Sequence, residues 1–526
     1  MYTESKDEED LKDLFKRIEK IGKENSKSKS IGIKDHFGLD KEFKTIERVE
    51  TTYSYHKERF LESEFKLNGA NTTTNHTSQS SQSSQSSSSS QQSNLVSQSQ
   101  HNVLQYNTIY SSRLEKLRPV LMEQVESKFS NVPVQKILQM KPGDECVMIG
   151  TLYKEMELKP NILKQYAQDR AMLPLPDNRE SFISEKDKLF FEDDTGRVKL
   201  IGEKGMVDSL VTGLNVAIRG RGLTDAEFEI QEVLFPGLPP QPHSRDLEKI
   251  KDDVYICLVS GIGIGNPNNI FQINLLKEFL TGSVGSESEQ NEFIKKISRV
   301  VFVGNSIHKE EEPHEAFVRY SSRQETQAKQ AKQALPIKEL DGYLSELCQS
   351  IPVDIMPGPN DPTNVSLPQL PLNSCLFPFS IQNTNTTFAT NPYESLVGGR
   401  VLLGTSGQNI ENASRYMKSE SKMKIAENTL VWRHLAPTAP DTLTCSALDQ
   451  DPFVIEQCPH ILFFGNQDHY ESKLLKGPND EVVRLIFIPK FSETNTIVCV
   501  NLKTLDTFPI TFNTSSFFPQ SPSTQQ

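Results

Sequence analysis

Apolar residues along this chain fall into three regimes, each with its own spacing. In "YNTIYSSRLEKLRPVLMEQVESKF" they recur at helical intervals, with Tyr110, Leu114, Leu117 and Leu121 on one face. Pro119 is expected to kink or interrupt that helix. From about 131 to 245 the period shortens to two. "ECVMIGTLYKEM" alternates around Val147 and Ile149, and "KLFFEDDTGRVKLIGE" reads as a hairpin turning at Asp194-Thr195-Gly196. "NVAIRGRGLTDAEFEIQEVLFPG" reads as a second hairpin. Short strands with one helical insertion, "KPNILKQYAQD", predict a small barrel of the oligonucleotide/oligosaccharide-binding (OB) type. "PGLPPQPHS" follows as a linker.

From about 250 onward the runs are apolar on both faces and short. "DVYICLVSG", "SRVVFVGN", "VDIMPGPND", "GRVLLGTSG", "HILFFGN" and "VRLIFIPKF" read as buried strands, most of them ending near glycine. Helical stretches separate some of them: "NIFQINLLKEFL", and "RQETQAKQAKQALPIKELDGYLSELCQS", expected to break at Pro336. Buried strands with helical crossovers make a layered α/β domain, whose sites form at the carboxyl ends of the strands. The predicted class is thus α+β or α/β: a barrel at 131–245, preceded by a helix at 105–130 that packs on the core, then a layered domain at 250–510 and a disordered tail at 511–526.

Residues 1–104 are different. They are charged and weakly periodic, with a short helix expected near Asp10–Ile21 and loose chain after it. Within them, Ser, Gln and Asn dominate residues 71–100 and leave nothing to bury, so that insert is expected to be disordered. Hydrophobic residues make up only 36% of the 526, in keeping with such segments. No apolar run reaches the ~18 residues of a membrane span, and "MYTESKDEEDLKDLFKRIEK" lacks the apolar core of a signal peptide. Seven single cysteines without a CxxC pair argue against a zinc ribbon or a disulfide framework. An intracellular, reduced protein is expected. The net charge of −12 lacks the basic surplus of an autonomous duplex binder, though a local basic groove stays possible.

"YICLVSGIGIG" is the first loop to weigh for chemistry. A dinucleotide fingerprint needs G-x-G-x-x-G running straight into a helix. Here the third glycine, Gly265, comes one residue early, and "NPNN" intervenes before any helix. No acidic residue ends a matching second strand, so phosphate cradling is not the reading.

The strings "VSGIGIG", "VFVGN", "VDIMPGPNDPTNVSLPQLPL", "NPY", "LLGTSGQNI", "HLAPTAPDTL", "DPF", "CPHILFFGN" and "VNL" occur in this order. Together they resemble the family of small (B) subunits of DNA polymerase delta, over residues from about 105 to 510. The resemblance implies an OB-type barrel joined to a calcineurin-like metallophosphoesterase domain that is catalytically dead in the eukaryotic members. Active members of that superfamily hold two metals through D-x-H, G-D-x-x-D, G-N-H-D/E, a lone His and G-H-x-H. Two-metal hydrolysis needs carboxylate and imidazole donors that set the ions about 3.5–4 Å apart.

Carried over residue by residue, the donors are missing. The first motif becomes Gly261-Ile262-Gly263, and the second becomes Gly304-Asn305-Ser306-Ile307-His308. The third is Gly358-Pro359-Asn360-Asp361, keeping only its last carboxylate. The fourth falls near "GTSGQN", without histidine, and the fifth is Gly465-Asn466-Gln467-Asp468. Glycine offers no donor atom, and asparagine is a poor substitute for a bridging carboxylate. A site rebuilt from His308, Asp361, Asp468 and His469 competes with a plainer reading: Asp361 caps a turn, and the others are solvated loop residues. His434, beside the lone Trp432, reads as structural, and His460 as facing a loop.

The resemblance then implies a non-catalytic scaffold in the nucleus, with no cofactor, no metal and no membrane contact. Its partners would be the cysteine-rich C-terminal domain of the catalytic subunit and the N-terminal domain of a third, elongated subunit, with the sliding clamp and DNA reached indirectly. Two other functions stay open. One is a metal-dependent phosphodiesterase or 3′-5′ exonuclease. The other is a single-strand-binding module, using Phe190 and Phe191 with a basic stripe of Lys199, Arg219 and Arg221, against the acidic Glu192-Asp193-Asp194. Near the end, Phe517-Phe518 fails as a clamp-binding peptide, because Thr511 and Thr514 stand where glutamine and an aliphatic residue are needed.

Overall fold

The helical stripe makes the first long-range contact. A computed structural model describes residues 31–34, 40–43, 48–61, 106–160, 179–223, 227–242, 252–284, 289–309 and 323–512. The expected helix at 10–21, the insert at 71–100, most of the insertion at 159–169 and the tail beyond 512 lie outside them. Helix α1, Tyr106–Lys128, runs unbroken through Pro119. Its innermost line is Ile109, Arg113, Leu117, Leu121 and Val125, one every fourth residue and each at most 2% exposed. Tyr110 and Leu114, placed on the buried face by sequence, flank that line half-buried.

Before α1 come a hairpin of β1 (Ile31–Lys34) and β2 (Asp40–Phe43), and strand β3 (Tyr53–Tyr55). After α1 the chain forms a closed barrel: β4 (Glu145–Glu155), β5 (Lys188–Glu192), β6 (Arg197–Ile201), β7 (Asn215–Gly222) and β8 (Glu227–Leu234). The spatial order is β4-β5-β6-β8-β7, with β6 and β8 parallel. The 11-residue β4 closes the ring because it pairs with β5 on one side and β7 on the other. Period-2 alternation fills the interior with Met148, Leu152, Leu189, Phe191, Val198, Leu200 and Phe228. On the outside of β4 and β7, Val147, Ile149 and Ala217 pack against Leu121, Val125 and Phe129 of the α1 region.

The second body is a four-layer sandwich. One sheet has the order β12-β11-β10-β9-β18-β19, the other β16-β17-β15-β14-β13-β3. In the first, β9 (Tyr255–Val259), β10 (Ile297–Val303), β11 (Val353–Met356) and β12 (Thr386–Phe388) are parallel, and β18 (Thr496–Asn501) and β19 (Thr507–Thr511) complete it antiparallel. In the second, β14 (Arg400–Thr405), β15 (Ile461–Gln467) and β17 (Val482–Pro489) are parallel, flanked by β13 (Tyr393–Val397) and β16 (Glu471–Lys476). Alternate side chains separate two cores. Ile256, Leu258, Val301, Val303, Phe463 and Ile486 meet between the sheets. Cys257, Val259, Val300 and Phe302 face the other way, onto helices α3 (Ile270–Thr281) and α5 (Arg323–Leu347). On the outer side of the second sheet, Leu462, Phe464 and Leu485 join helices α6 (Gln408–Tyr416) and α7 (Lys422–Val431) in one cluster with the barrel interior. The short helices α2 (Lys204–Asp208), α4 (Glu289–Lys295) and α8 (Phe491–Thr494) fill corners. Pro336 sits inside a continuous α5.

One segment departs from the sequence reading. Residues 48–61, inside the stretch read as loose, are built into the body. Arg48 donates to Ser350 O, Ile294 O, Ile297 O and Leu280 O, so one guanidinium serves carbonyls at or near the ends of α3, α4 and α5. Strand β3 then extends the second sheet along β13, and Phe60 enters the barrel-side core. The proline-rich linker, a short connection between barrel and sandwich, is fastened as well. Gly237 N donates to Val431 O, Cys458 N to Pro240 O, and Gln241 Nε2 to Val482 O.

Candidate functional site

The parallel strands of both sheets release their chains at one end, and those loops interlock. Gly261, Gly263 and Gly265 all have positive φ (59°, 61° and 98°), a conformation that glycine adopts without steric cost. Gly261 N donates to Gly304 O at 2.9 Å, and Ile264 N to Ser306 O at 2.8 Å, which zips the loop after β9 to the loop after β10. Asn305 Oδ1 accepts from Asn360 N at 3.0 Å, bringing in the loop after β11. Asn466, near the end of β15, donates its Nδ2 to Val303 O (3.3 Å) and Ser406 O (2.9 Å), and its backbone N to Ser260 Oγ (2.7 Å). A Cβ on Gly261 would stand 2.9 Å from Asn466 Oδ1. The structure therefore gathers Gly261, Gly263, Asn305, Asn360, Asp361 and Asn466 in one place.

Asp361 is turned inward. Its Oδ1 accepts from Ile307 N at 3.0 Å and its Oδ2 from Gly358 N at 2.8 Å, tying two strand-end loops together. Burial pushes this carboxyl up to about 7, against backbone N–H groups that favour the charged form. His308 is half-buried, and its backbone N donates to Ile264 O. Asp468 lies outside the cluster. It pairs with Lys422 at 2.9 Å, the cation that holds its carboxyl below the usual range. His469 is exposed, 3.7 Å from Glu471. Among the described residues, no group of three or more His, Cys, Asp or Glu could hold a metal ion.

A neighbouring amide network was not legible in sequence. Asn391 Nδ2 lies 2.8 Å from each of Gln369 Oε1, Ser406 Oγ and Gln408 Oε1, its two N–H groups shared among the three acceptors, and Gln408 Nε2 reaches Gln369 Oε1 at 3.1 Å. Neutral amides and hydroxyls thus satisfy one another beside the loops. Their sequence signal was faint: Gln369, Asn391 and Gln408 are scattered amides within "LPQLPL", "NPY" and "LLGTSGQNI".

The two other histidines are structural, and one corrects the sequence reading. His434 Nε2 lies 2.9 Å from Asp451 Oδ2. His460 does not face a loop. It is buried, and its Nδ1 accepts from Val401 N at 3.1 Å in the second sheet. Burial, helped by Arg400, lowers it to about 4. The unfolded value of about 6.5 is higher, so the unfolded chain binds more protons between these values. Stability from neutral His460 is complete above pH 6.5 and lost as the pH falls towards 4. Glutamine at 460 can still accept the Val401 bond but does not titrate. We expect the stability of the wild type relative to His460→Gln to fall by about 3 kcal/mol from pH 7 to pH 4. Urea midpoints across that range would test it, and a constant difference would refute it.

On the barrel, the proposed basic stripe is largely neutralised. Lys199 pairs with Glu227 at 2.7 Å, and Arg219 with Glu145 at 2.6 Å; Arg221 is exposed. Phe191 is wholly buried, so it offers no stacking platform. Phe190 is already covered by Arg197, whose guanidinium carbon is 4.0 Å from the ring centroid. Elsewhere, a cleft of about 420 Å³ lies between His56, Arg59, Lys116, Glu394 and Glu456. Its polar side chains are occupied: Arg59 pairs with Glu394, which His56 Nδ1 also meets at 2.9 Å, and Lys116 pairs with Glu456.

Comparison with known proteins follows the same division. A model of the DNA polymerase alpha/epsilon B-subunit family matches residues 256–473, within the sandwich. One of the "DNA polymerase delta subunit OB-fold domain" matches residues 105–233, α1 and the barrel. The chain is 43% identical over 414 residues to the DNA polymerase delta small subunit of Arabidopsis thaliana, covering 78% of this chain and 91% of that one. It is 32% identical over 415 residues to DNA polymerase delta subunit 2 of Drosophila melanogaster, covering 78% and 93%. Identity to the DNA polymerase II small subunit of Pyrococcus horikoshii is 22% over 392 residues, 71% of this chain and 55% of the relative.

Proposed function

The chain belongs to the DNA polymerase delta small-subunit family, and from that membership we propose that it is a rigid scaffold whose phosphoesterase-like centre has lost its chemistry. It is an accessory subunit in DNA replication. In the proposed reading it holds the C-terminal domain of the catalytic subunit and the N-terminal domain of a third subunit. Such a subunit works in the nucleus, with the sliding clamp and DNA reached through its partners.

One observation carries the reading: the strand-end loops bond to each other, where a hydrolase would aim donors at metal ions. Gly261 and Gly263 contribute no donor atom. Asn305 and Asn466 spend their side chains on neighbouring backbone, and Asp361 faces two backbone N–H groups. The ionic pairing of Lys199 and Arg219 removes most of the support for a strand-binding barrel.

Two measurements test the proposal. Co-expression with the catalytic subunit should yield a complex that survives size exclusion at moderate salt. The purified chain with manganese and bis(p-nitrophenyl) phosphate should show no turnover above buffer. Stoichiometric bound manganese or iron, together with turnover lost in Asp361→Asn, would overturn the inactive-centre reading. Failure to associate would overturn the scaffold.

A further inference from the structure

Cys257 on β9 and Cys499 on β18 stand directly opposite each other in an antiparallel ladder. Their sulfurs are 3.2 Å apart, within the core between the first sheet and its helices. Opposed positions of an antiparallel pair hold their Cα atoms about 4.5–5.5 Å apart, inside the range of about 4.4–6.8 Å that a disulfide spans. A bridge between them therefore needs side-chain rotation and no change of register. The two residues lie 242 positions apart in the chain, so the spacing of the seven cysteines gave no sign of the pair.

Burial decides when the pair can react. Both residues are 0% exposed. Burial raises the Cys499 thiol well above its ordinary value, which keeps that sulfur neutral and unreactive in the closed sheet. The way out is the β18–β19 hairpin. Strand β19 is an edge of its sheet, bonded to β18 alone, and its Pro509 and Thr511 are exposed. Pro509, opposite Val498, gives no N–H to the ladder. An edge hairpin of this kind opens locally at far lower cost than the whole fold.

We propose that Cys257 and Cys499 close a reversible disulfide under peroxide, a latch that fixes the β18–β19 hairpin to β9. In the opened hairpin the Cys499 thiol loses its proton to water, and the thiolate attacks one oxygen of hydrogen peroxide. The S–O bond forms as the O–O bond breaks, and the departing hydroxide takes up a proton to leave as water. The Cys257 sulfur then attacks the Cys499 sulfenic sulfur. The S–S bond forms, the S–O bond breaks, and hydroxide leaves with the Cys257 proton as a second water. Two thiols and one peroxide become one disulfide and two waters, and a dithiol reverses the step by exchange. In a reducing compartment such a bridge is transient and sensing, not a permanent part of the fold.

The test uses the full chain carrying Cys375→Ser, which removes the exposed cysteine. It is treated with hydrogen peroxide and mapped by mass spectrometry without reduction. The expected result is a Cys257–Cys499 bridge that dithiothreitol removes. Amide exchange across β18 and β19 should be at least about tenfold slower in the oxidised chain than in the reduced one. Cys257→Ala and Cys499→Ala, each compared with its own untreated form, should show no such slowing, so any basal loss from the substitution cancels. Three outcomes would overturn the proposal: both cysteines still alkylated by N-ethylmaleimide after unfolding, bridges to other cysteines instead, or a Cys257–Cys499 bridge that leaves exchange of the hairpin unchanged. None of them bears on the accessory-subunit reading, which rests on separate measurements.

Discussion

Arg113→Met is expected to destabilise the whole molecule by about 3–5 kcal/mol, the usual loss when one partner of a buried ion pair is removed. Arg113 is 0% exposed, on the inner line of α1. Its Nε donates to Asp451 Oδ2 at 2.6 Å. Nη1 donates to Gly213 O (2.8 Å) in the barrel and Pro437 O (2.9 Å) in the sandwich, and Nη2 to Ala439 O (2.8 Å). Gly213 meets Pro437 so closely that an added Cβ would lie 2.0 Å from the Pro437 carbonyl oxygen. Burial alone would raise the Asp451 pKa, but Arg113 and His434 outweigh it and hold the carboxyl well below the usual range. Methionine fills comparable space yet leaves that carboxylate with a neutral histidine and strands three carbonyls. Lysine should rescue little, since a single ammonium cannot reproduce the planar fork.

Helix, barrel and sandwich share this one guanidinium, so their stabilities should fall together. Natural domains are stable by only about 5–15 kcal/mol. Urea unfolding followed by Trp432 fluorescence and by far-UV circular dichroism would measure the loss. A change under about 1 kcal/mol, or two transitions of which one alone moves, would show that the bodies are not locked as described.

The second large effect is expected at the strand-end loops. Gly261→Asp returns a carboxylate to the first position of the motif, and it should cost about 3–5 kcal/mol without creating a metal site. The residue would sit at φ 59°, where a non-glycine side chain is strained by about 1–2 kcal/mol. Its Cβ would press to 2.9 Å on Asn466 Oδ1 and to 3.2 Å on Lys490 Cα. Asn466 cannot step aside, being fixed by Val303 O, Ser406 O and Ser260 Oγ. The new carboxylate would also face an acceptor oxygen, not a donor. Isothermal titration with manganese should give no binding heat. A variant as stable as the wild type that binds manganese at micromolar concentration would mean that the centre is only one substitution from function.

Much of this was written locally. Alternation around Val147 and Ile149 announced barrel strand β4, and the two-faced apolar runs of β9, β10 and β15 announced strands buried on both sides, whereas Phe191, read as a stacking platform, lies inside the barrel. That Gly261 and Gly263 carry no donor atom and that Asn305 and Asn466 carry amides in place of carboxylate or imidazole was legible at once, since a side chain's chemistry does not depend on its fold. What each face is buried against was not local. Cys257 and Val259 meet helices while Ile256 and Leu258 meet the second sheet, and periodicity reads the same either way. Arg113 looks like any solvated cation until acceptors from residues 213, 437, 439 and 451 converge on it. Strand β3 pairs with β13 some 340 residues later (Tyr55 with Ser395), and Arg299 stacks 3.4 Å from the ring centroid of Tyr53. Such contacts depend on chain closure over hundreds of residues, and only the cooperative packing of the sheets makes that closure favourable.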